Sequence, residues 1–263
     1  MISLRLISMR SNYRTVVNDK EFERKMNSVN RFKTIEERDD RSDVPCELWL
    51  PLVVQNGYHT HWKNIICNKS SFEFAIYPML IQEVRPKTII ELGALNGGSA
   101  LWLADLLSIS QINGLIYSID IDLSLLHRDV IDDDRITFIQ GDCNRIEDVL
   151  PKALLGDMPH PWLIIEDCHV NTGGILDYFH HNGVIKDDYI IIEDTNKDAL
   201  AIRNDPSLGN MYLPPDKIKE KSAKMDILRA WLIDRPEYKV DTFYLDMFGY
   251  NVSKNWNSVL KRF

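Results

Sequence analysis

The sequence predicts an α/β fold with a doubly wound, mostly parallel sheet and a helical extension at the N-terminus. Three observations carry that prediction. Short apolar runs recur from Lys87 onward, as "KTIIEL", "GLIYSIDID", "RITFIQGD", "PWLIIED" and "DYIIIED". Helical stretches such as "GSALWLADLLS", "ILDYFHHNGVI" and "AKMDILRAWLIDRP" lie among them. Most of the runs end in an acid or a glycine, which marks strands buried on both faces whose ends deliver polar groups to one rim.

The chain has 263 residues, of which 44% are apolar, enough for one large domain with its own core. Its formal charge is −8. No Lys/Arg run offsets that balance, so a nucleic-acid partner is not expected. The four cysteines, Cys46, Cys67, Cys143 and Cys168, form no C-x-x-C pair. They read as reduced thiols in a cytoplasmic protein. No apolar run approaches the roughly 18 residues of a membrane span, and the N-terminus has neither a long apolar core nor a small-residue cleavage site.

Residues 1–57 are read as an N-terminal extension, a lid or oligomer arm, with a helix or two in the polar stretch over 1–45. Residues 58–263 are read as the main domain. Within it, "SSFEFAIYPMLIQEVRP" is a helix whose Phe74, Tyr77, Leu80 and Ile81 share one face. Strand one, "KTIIEL", leads into the glycine cluster of "ELGALNGGS" and the next helix begins near Gly98 and Ser99. Four strands follow at "GLIYSIDID", "RITFIQGD", "PWLIIED" and "DYIIIED", and the tail from "YKVDTF" supplies a final pair. The polar stretch "NKDALAIRNDPSLGNMYLPPDKIKEKS" after the fifth strand reads as a long loop able to close on a ligand.

In such a sheet ligands sit beyond the carboxyl ends of the strands. Gly93 permits a turn there, and Gly97 and Gly98 allow close approach at the helix start. Glu91, just before them, would oppose a pyrophosphate at that helix N-terminus. A cationic ligand is favoured by the same carboxylate, and S-adenosylmethionine (SAM), with its ammonium and sulfonium, fits better than a dinucleotide. Asp120, with Asp122 as the nearby alternative, is placed to accept from ribose hydroxyls, and Asp142 falls near the adenine.

"LIIEDCH" and "IIIEDT" bring Glu166, Asp167, Glu193 and Asp194 to the same rim. Clustered carboxylates repel unless a cation joins them, and a hard divalent ion such as Mg²⁺ suits oxygen donors. Glu166, Glu193 and Asp194 are the preferred ligands, with Asp167 a close substitute for Glu166. Such an ion lowers the pKa of a bound hydroxyl. His169, with an unperturbed pKa near ~6.5, is the candidate base. Metal binding by His59 and His61 is not favoured, and His180–His181 reads as a solvated helix end. Tyr58, Trp62, Phe248 and Tyr250 are candidate acceptor-pocket aromatics.

These motifs, with "THWKNI" before them and "DMFGYNVSKNWNSVLKRF" after, resemble the cephalosporin hydroxylase-like and rhamnosyl O-methyltransferase family over most of the chain after about residue 58. The resemblance implies a Rossmann-like SAM methyltransferase fold, SAM and Mg²⁺ as cofactors, and a homo-oligomer. It places Glu91, Gly93, Gly97, Ser99 and Asp120 on the SAM side, and Glu166, Glu193 and Asp194 on the metal side with His169 nearby. The family more often has aspartate where Glu166 is matched, and an asparagine–proline–asparagine–glycine run where this tail reads "NWNSVLKR". The activity implied is O-methylation of a small natural product or sugar-containing metabolite, as in antibiotic biosynthesis. A tailoring hydroxylase and a non-catalytic SAM-binding partner are the alternatives.

Overall fold

The structure is a computed structural model, and it describes residues 26–50, 60–204, 206 and 214–263. Its centre is a sheet of eight strands in the order β1-β9-β10-β8-β7-β4-β5-β6. These are β1 (Phe32–Lys33), β4 (Thr88–Leu92), β5 (Leu115–Asp120), β6 (Ile136–Gln140), β7 (Trp162–Glu166), β8 (Tyr189–Ile192), β9 (Tyr238–Asp241) and β10 (Val259–Arg262). The five strands β4 to β8 run parallel, with Glu91 opposite Ser118 on one side and Ile165 on the other. β10 is antiparallel to both β8 and β9.

Burial explains the apolar runs. Every residue of β4, β7 and β8 is buried, whereas the edge strand β6 alternates toward solvent. Helices α1 (Ser71–Val84), α2 (Gly98–Ile109), α3 (Thr172–Asn182), α4 (Lys197–Ile202) and α5 (Pro215–Ile233) accompany the sheet. α2 is buried from Gly98 to Leu107, so its sequence is apolar almost all round. The strand order reverses at β4: the chain runs outward through β5 to the edge strand β6 and resumes with β7 on the other side of β4. That reversal opens the crevice where such sheets hold ligands.

Several sequence expectations change. The stretch read as one long loop carries α4 and the start of α5, leaving residue 205 and residues 207–213 outside the described residues. α5 starts at Pro215, eight residues before the helix expected from the sequence. Residues 1–25 and 51–59 also lie outside the description, including Tyr58 and His59. Within the expected extension, β1 pairs antiparallel with β9, and Arg31 donates to Asp241 at 2.8 and 2.6 Å. That part of the chain is a sheet edge, because the buried Arg31–Asp241 pair ties it to the final hairpin. A second small sheet joins β2 (His61–Trp62) to β3 (Ile65–Ile66). Among the described residues, no helix is long and apolar enough to cross a membrane.

Candidate functional site

A cavity of about 460 Å³ lies at the carboxyl ends of the parallel strands. Part of its lining comes from the glycine turn and the ends of β5 and β6: Gly93, Leu95, Asp120 and Asp142. The rest comes from the ends of β7 and β8 and from the tail: Asp167, His169, Asp194 and Lys254.

On the first side, Gly93 has φ +108°, and a Cβ there would come within 2.9 Å of the Asp167 carbonyl oxygen. Glycine therefore lets the β4 turn and the β7 end meet. Gly98 has a different reason from the one its sequence suggests: a Cβ there would strike the Ile66 carbonyl oxygen of the β2–β3 hairpin. A Cβ on Gly97 would meet Val130, Leu126 and Phe138 side chains. Neither glycine lines the cavity, so the close approach they allow is protein on protein.

Asp120 does line it. One carboxylate oxygen accepts the Leu95 N–H at 2.8 Å and the other the Asp122 N–H at 3.2 Å. A carboxylate has about four acceptor sites, so Asp120 keeps capacity for a ligand's hydroxyls. Asp142 likewise lines the cavity while accepting from the Asn144 N–H. Asp122 caps the turn that follows, accepting from the Ser124 N–H.

Glu91 is not in the wall. It is 1% exposed, accepts from the Ser118 hydroxyl, and has Ser99 beside it. Burial raises its carboxyl to about 7, against the opposing pull of Lys69 and the two serines. It is buried next to the glycine turn and does not line the cavity, unlike Asp120.

On the second side, the carboxylates split into two layers. Glu166 and Glu193, expected to be ligands, are both fully buried. Glu166 pairs with Lys224 at 2.9 Å, and burial, only partly offset by that ammonium, lifts its carboxyl to about 7. Glu193 accepts from Lys69 on both oxygens at 2.7 Å, from the Tyr77 hydroxyl at 2.6 Å and from Lys254 at 2.9 Å. Four bonds fill its acceptor sites.

Asp167, His169 and Asp194 instead bring one ligand atom each to within 4.8 Å of one another, and among the described residues this is the group with metal-holding geometry. Side chains alternate faces along a strand, so a one-residue step from Glu166 to Asp167 exchanges the core for the cavity. Of the two alternatives for the first ligand, Asp167 is the one that lines the cavity, and Glu166, also read as a catalytic candidate, does not.

Both aspartates are held charged. Burial pushes Asp167 up, but Lys69, 2.9 Å away, and Lys254 together bring it below the ordinary carboxylate range. Asp194 shows the same balance, its burial outweighed by Lys254, His169 and Lys224. Asp194 also has φ +60°, an uncommon conformation for a non-glycine residue, with its N–H donated to the Asn255 side chain at 2.9 Å. Such local strain gathers at functional sites. His169 Nε2 stands 3.6 Å from Asp194 Oδ2.

The donor set fits a divalent ion: two charged carboxylates and one imidazole at the mouth of a cavity. Mg²⁺ is usually bound by one or two carboxylates and keeps several waters, so Asp167 and Asp194 suffice for it. The lysines are what sequence reading missed. A lone Lys in "CNKSS" or "VSKNW" carries no signal, because only the fold shows that Lys69, Lys224 and Lys254 face acids.

The described members of the expected aromatic wall, Trp62, Phe248 and Tyr250, are elsewhere. Trp62 donates its indole N–H to Asp105 at 2.6 Å, Phe248 packs on Phe72, and the Tyr250 hydroxyl accepts from the Asp39 N–H. None lines the cavity. His180 meets the Tyr238 hydroxyl at 3.1 Å and its neighbour His181 is exposed. His61 is exposed as well.

Residues 54–263 match the family described as Rhamnosyl O-methyltransferase/CmcI. Among solved structures, the chain is similar to an apo structure of CmcI at 27% identity, over 86% of this chain and 87% of that one, with a TM-score of 0.60. CmcI with Mg and SAM matches at 27% identity over 93% and 96%, with a TM-score of 0.58. CmcI with S-adenosylhomocysteine matches at 27% identity over 86% and 95%, with a TM-score of 0.57. No curated protein sequence matches the chain. With four-fifths of its length covered by that match and its sheet ordered as a class I methyltransferase, the chain belongs to the Rhamnosyl O-methyltransferase/CmcI family.

Proposed function

We propose that this protein is a SAM-dependent O-methyltransferase that uses a divalent cation, Mg²⁺ by preference, to methylate a hydroxyl of a small natural product or sugar-containing metabolite. The observation that carries the reading is the single cavity shared by Asp120 and Asp142 at one part and by Asp167, His169 and Asp194 at another. A methyl donor and an ion-held acceptor must meet in one enclosed space, and binding them together replaces a bimolecular encounter with a positioned one.

In this reading Asp120 orients the ribose and Asp142 lies by the adenine. Gly93 leaves room for the methionine part, and Glu91 beneath it contributes negative charge through the turn. Asp167 and Asp194 hold the cation. When bound, the cation lowers the pKa of the acceptor hydroxyl, and SAM supplies the methyl group. His169 takes the hydroxyl proton at its exposed ring. An imidazole is a poor Mg²⁺ donor beside two carboxylates, which favours the base role for His169 over a ligand role. Ile119 and Val170, both lining the cavity, help exclude water.

A hydroxylase centre of the common iron type uses two histidines and one carboxylate; here the cluster has one histidine and two carboxylates. With the family shown, hydroxylation is not favoured. The reading also takes the protein to be cytoplasmic and a homo-oligomer.

The test is calorimetric titration of SAM into the purified protein, with Mg²⁺ and then EDTA, followed by a panel of hydroxyl-bearing acceptors scored by mass spectrometry for one added methyl group. Micromolar SAM binding with methyl transfer that stops in EDTA supports the reading. SAM binding without turnover on any acceptor supports a non-catalytic partner role, and no SAM binding by the folded protein ends the proposal.

A further inference from the structure

Three ammonium groups reach into the acid cluster, and they are not alike. The Lys69 and Lys224 side chains are 3% and 4% exposed, whereas Lys254 is 20% exposed and is the one of the three that lines the cavity. Lys254 lies in the irregular segment between β9 and β10, next to Asn255, whose side chain accepts the Asp194 N–H. Its Nζ is 2.9 Å from Glu193 Oε2, 3.4 Å from Asp194 Oδ1 and 3.5 Å from Glu73 Oε1.

That arrangement puts a positive charge where a metal ion would have to approach. Asp194 belongs to the group with metal-holding geometry, yet one of its oxygens already faces an ammonium. A second cation at Asp194 meets like-charge repulsion at short range in a partly dry cavity, where screening by water is weak. Lys254 also has somewhere to go, because Glu193 and Glu73 still hold its ammonium after Asp194 is given up. Lys69 has no such freedom. It is buried, and it donates to Glu193 through both oxygens and to Asp167.

We propose that Lys254 is a tethered cation that competes with the divalent ion for Asp194, so that metal entry drives its ammonium off that carboxylate. Lys254 is then a positioning residue. It keeps the aspartates together and charged before loading, and it sets how tightly the ion is held afterwards. This inference rests on the assignment of Asp167 and Asp194 as the cation site.

The experiment is calorimetric titration of Mg²⁺ and Mn²⁺ into the full-length wild-type protein and its K254M and K254R variants. Competition predicts that K254M binds the ions about tenfold more tightly than wild type, within the usual range of coupling between two sites. K254R, which keeps the charge, stays near wild type. Equal or weaker binding by K254M overturns the inference, since a purely structural lysine would loosen the site when removed. No ion binding by wild type and K254M alike overturns the cation site itself. Binding by K254M alone supports competition.

A second variant covers the case in which K254M does not fold. K254Q keeps a polar side chain of similar reach without the charge, and competition predicts that it too binds the ions about tenfold more tightly than wild type. Binding by K254Q equal to or weaker than wild type overturns the proposal.

Discussion

Glu166 and Asp167 are adjacent in the chain and sit in different surroundings, and Glu193 and Asp194 repeat the pattern one strand over. The glutamates end inside the protein, fully buried and paired with lysines. The aspartates end at the cavity with His169 beside them. Glu91 and Asp120 show a related division at the ends of β4 and β5, one buried and the other in the cavity wall. The inner acids build a buried, hydrogen-bonded foundation and the outer acids face the cavity. What separates them is the alternation of side chains at a strand end. An "ED" pair is therefore two different devices, and the shorter residue of each pair is the one left at the surface of the site.

The largest effect that would break this division is at the foundation. Glu193→Ala leaves the Tyr77 hydroxyl buried without its acceptor and Lys69 with Asp167 alone, and removing one partner of a buried ion pair costs about 3–5 kcal/mol. Urea unfolding measures it; a loss below about 1 kcal/mol would show that Glu193 is not a foundation residue.

Next comes a pH test on Glu91, whose carboxyl is raised from 4.5 to about 7 by burial. A carboxyl held above its unfolded value binds more protons in the native state, so its penalty is absent below about pH 4.5 and complete above about pH 7. Stability from this group therefore falls as pH rises through that window, by roughly 3 kcal/mol in all. Glu91→Gln keeps the size and removes the titration. Its stability curve should decline less steeply between pH 4.5 and 7 than that of the wild type, and parallel curves would refute the assignment.

At the outer layer, Asp167→Asn should cost about 100-fold or more in turnover, the upper end of what even indirect metal partners contribute. SAM affinity should stay within about twofold of wild type, because Asp167 serves the cation. Retained Mg²⁺ binding in calorimetry would return the ligand role to Glu166. The smallest effect is expected at Asp120→Asn, about a tenfold weaker Kd for SAM from the loss of charge-assisted hydrogen bonds. An unchanged Kd would place the ribose elsewhere.

Much of this was legible in the chain. The five parallel strands lie within the runs that predicted them, because an apolar segment buried on both faces has few other places to go. The final hairpin was legible for the same reason. The cluster of acids at the strand ends was legible too, since a parallel sheet brings every strand's carboxyl end to one rim. Helical content in the stretch after β8 was not, as its polar composition suits a solvated helix as well as a loop. The edge strand β1 was also hidden. Two residues, Phe32 and Lys33, carry no periodicity, and only pairing with β9 gives them a conformation.

The sequence by itself determined the sheet, the order of its elements and the set of acids at its rim, because burial and alternation are local demands written into composition. Tertiary structure alone decided which acid of each pair faces the cavity, and which lysines from residues 69, 224 and 254 neutralise the others. Those choices depend on charges meeting from far along the chain, Glu193 with Lys254 at a separation of 61 residues and with Lys69 at 124. Coulombic pairing in a dry interior is set by where the backbone has already placed the groups, and no pattern along the sequence records it.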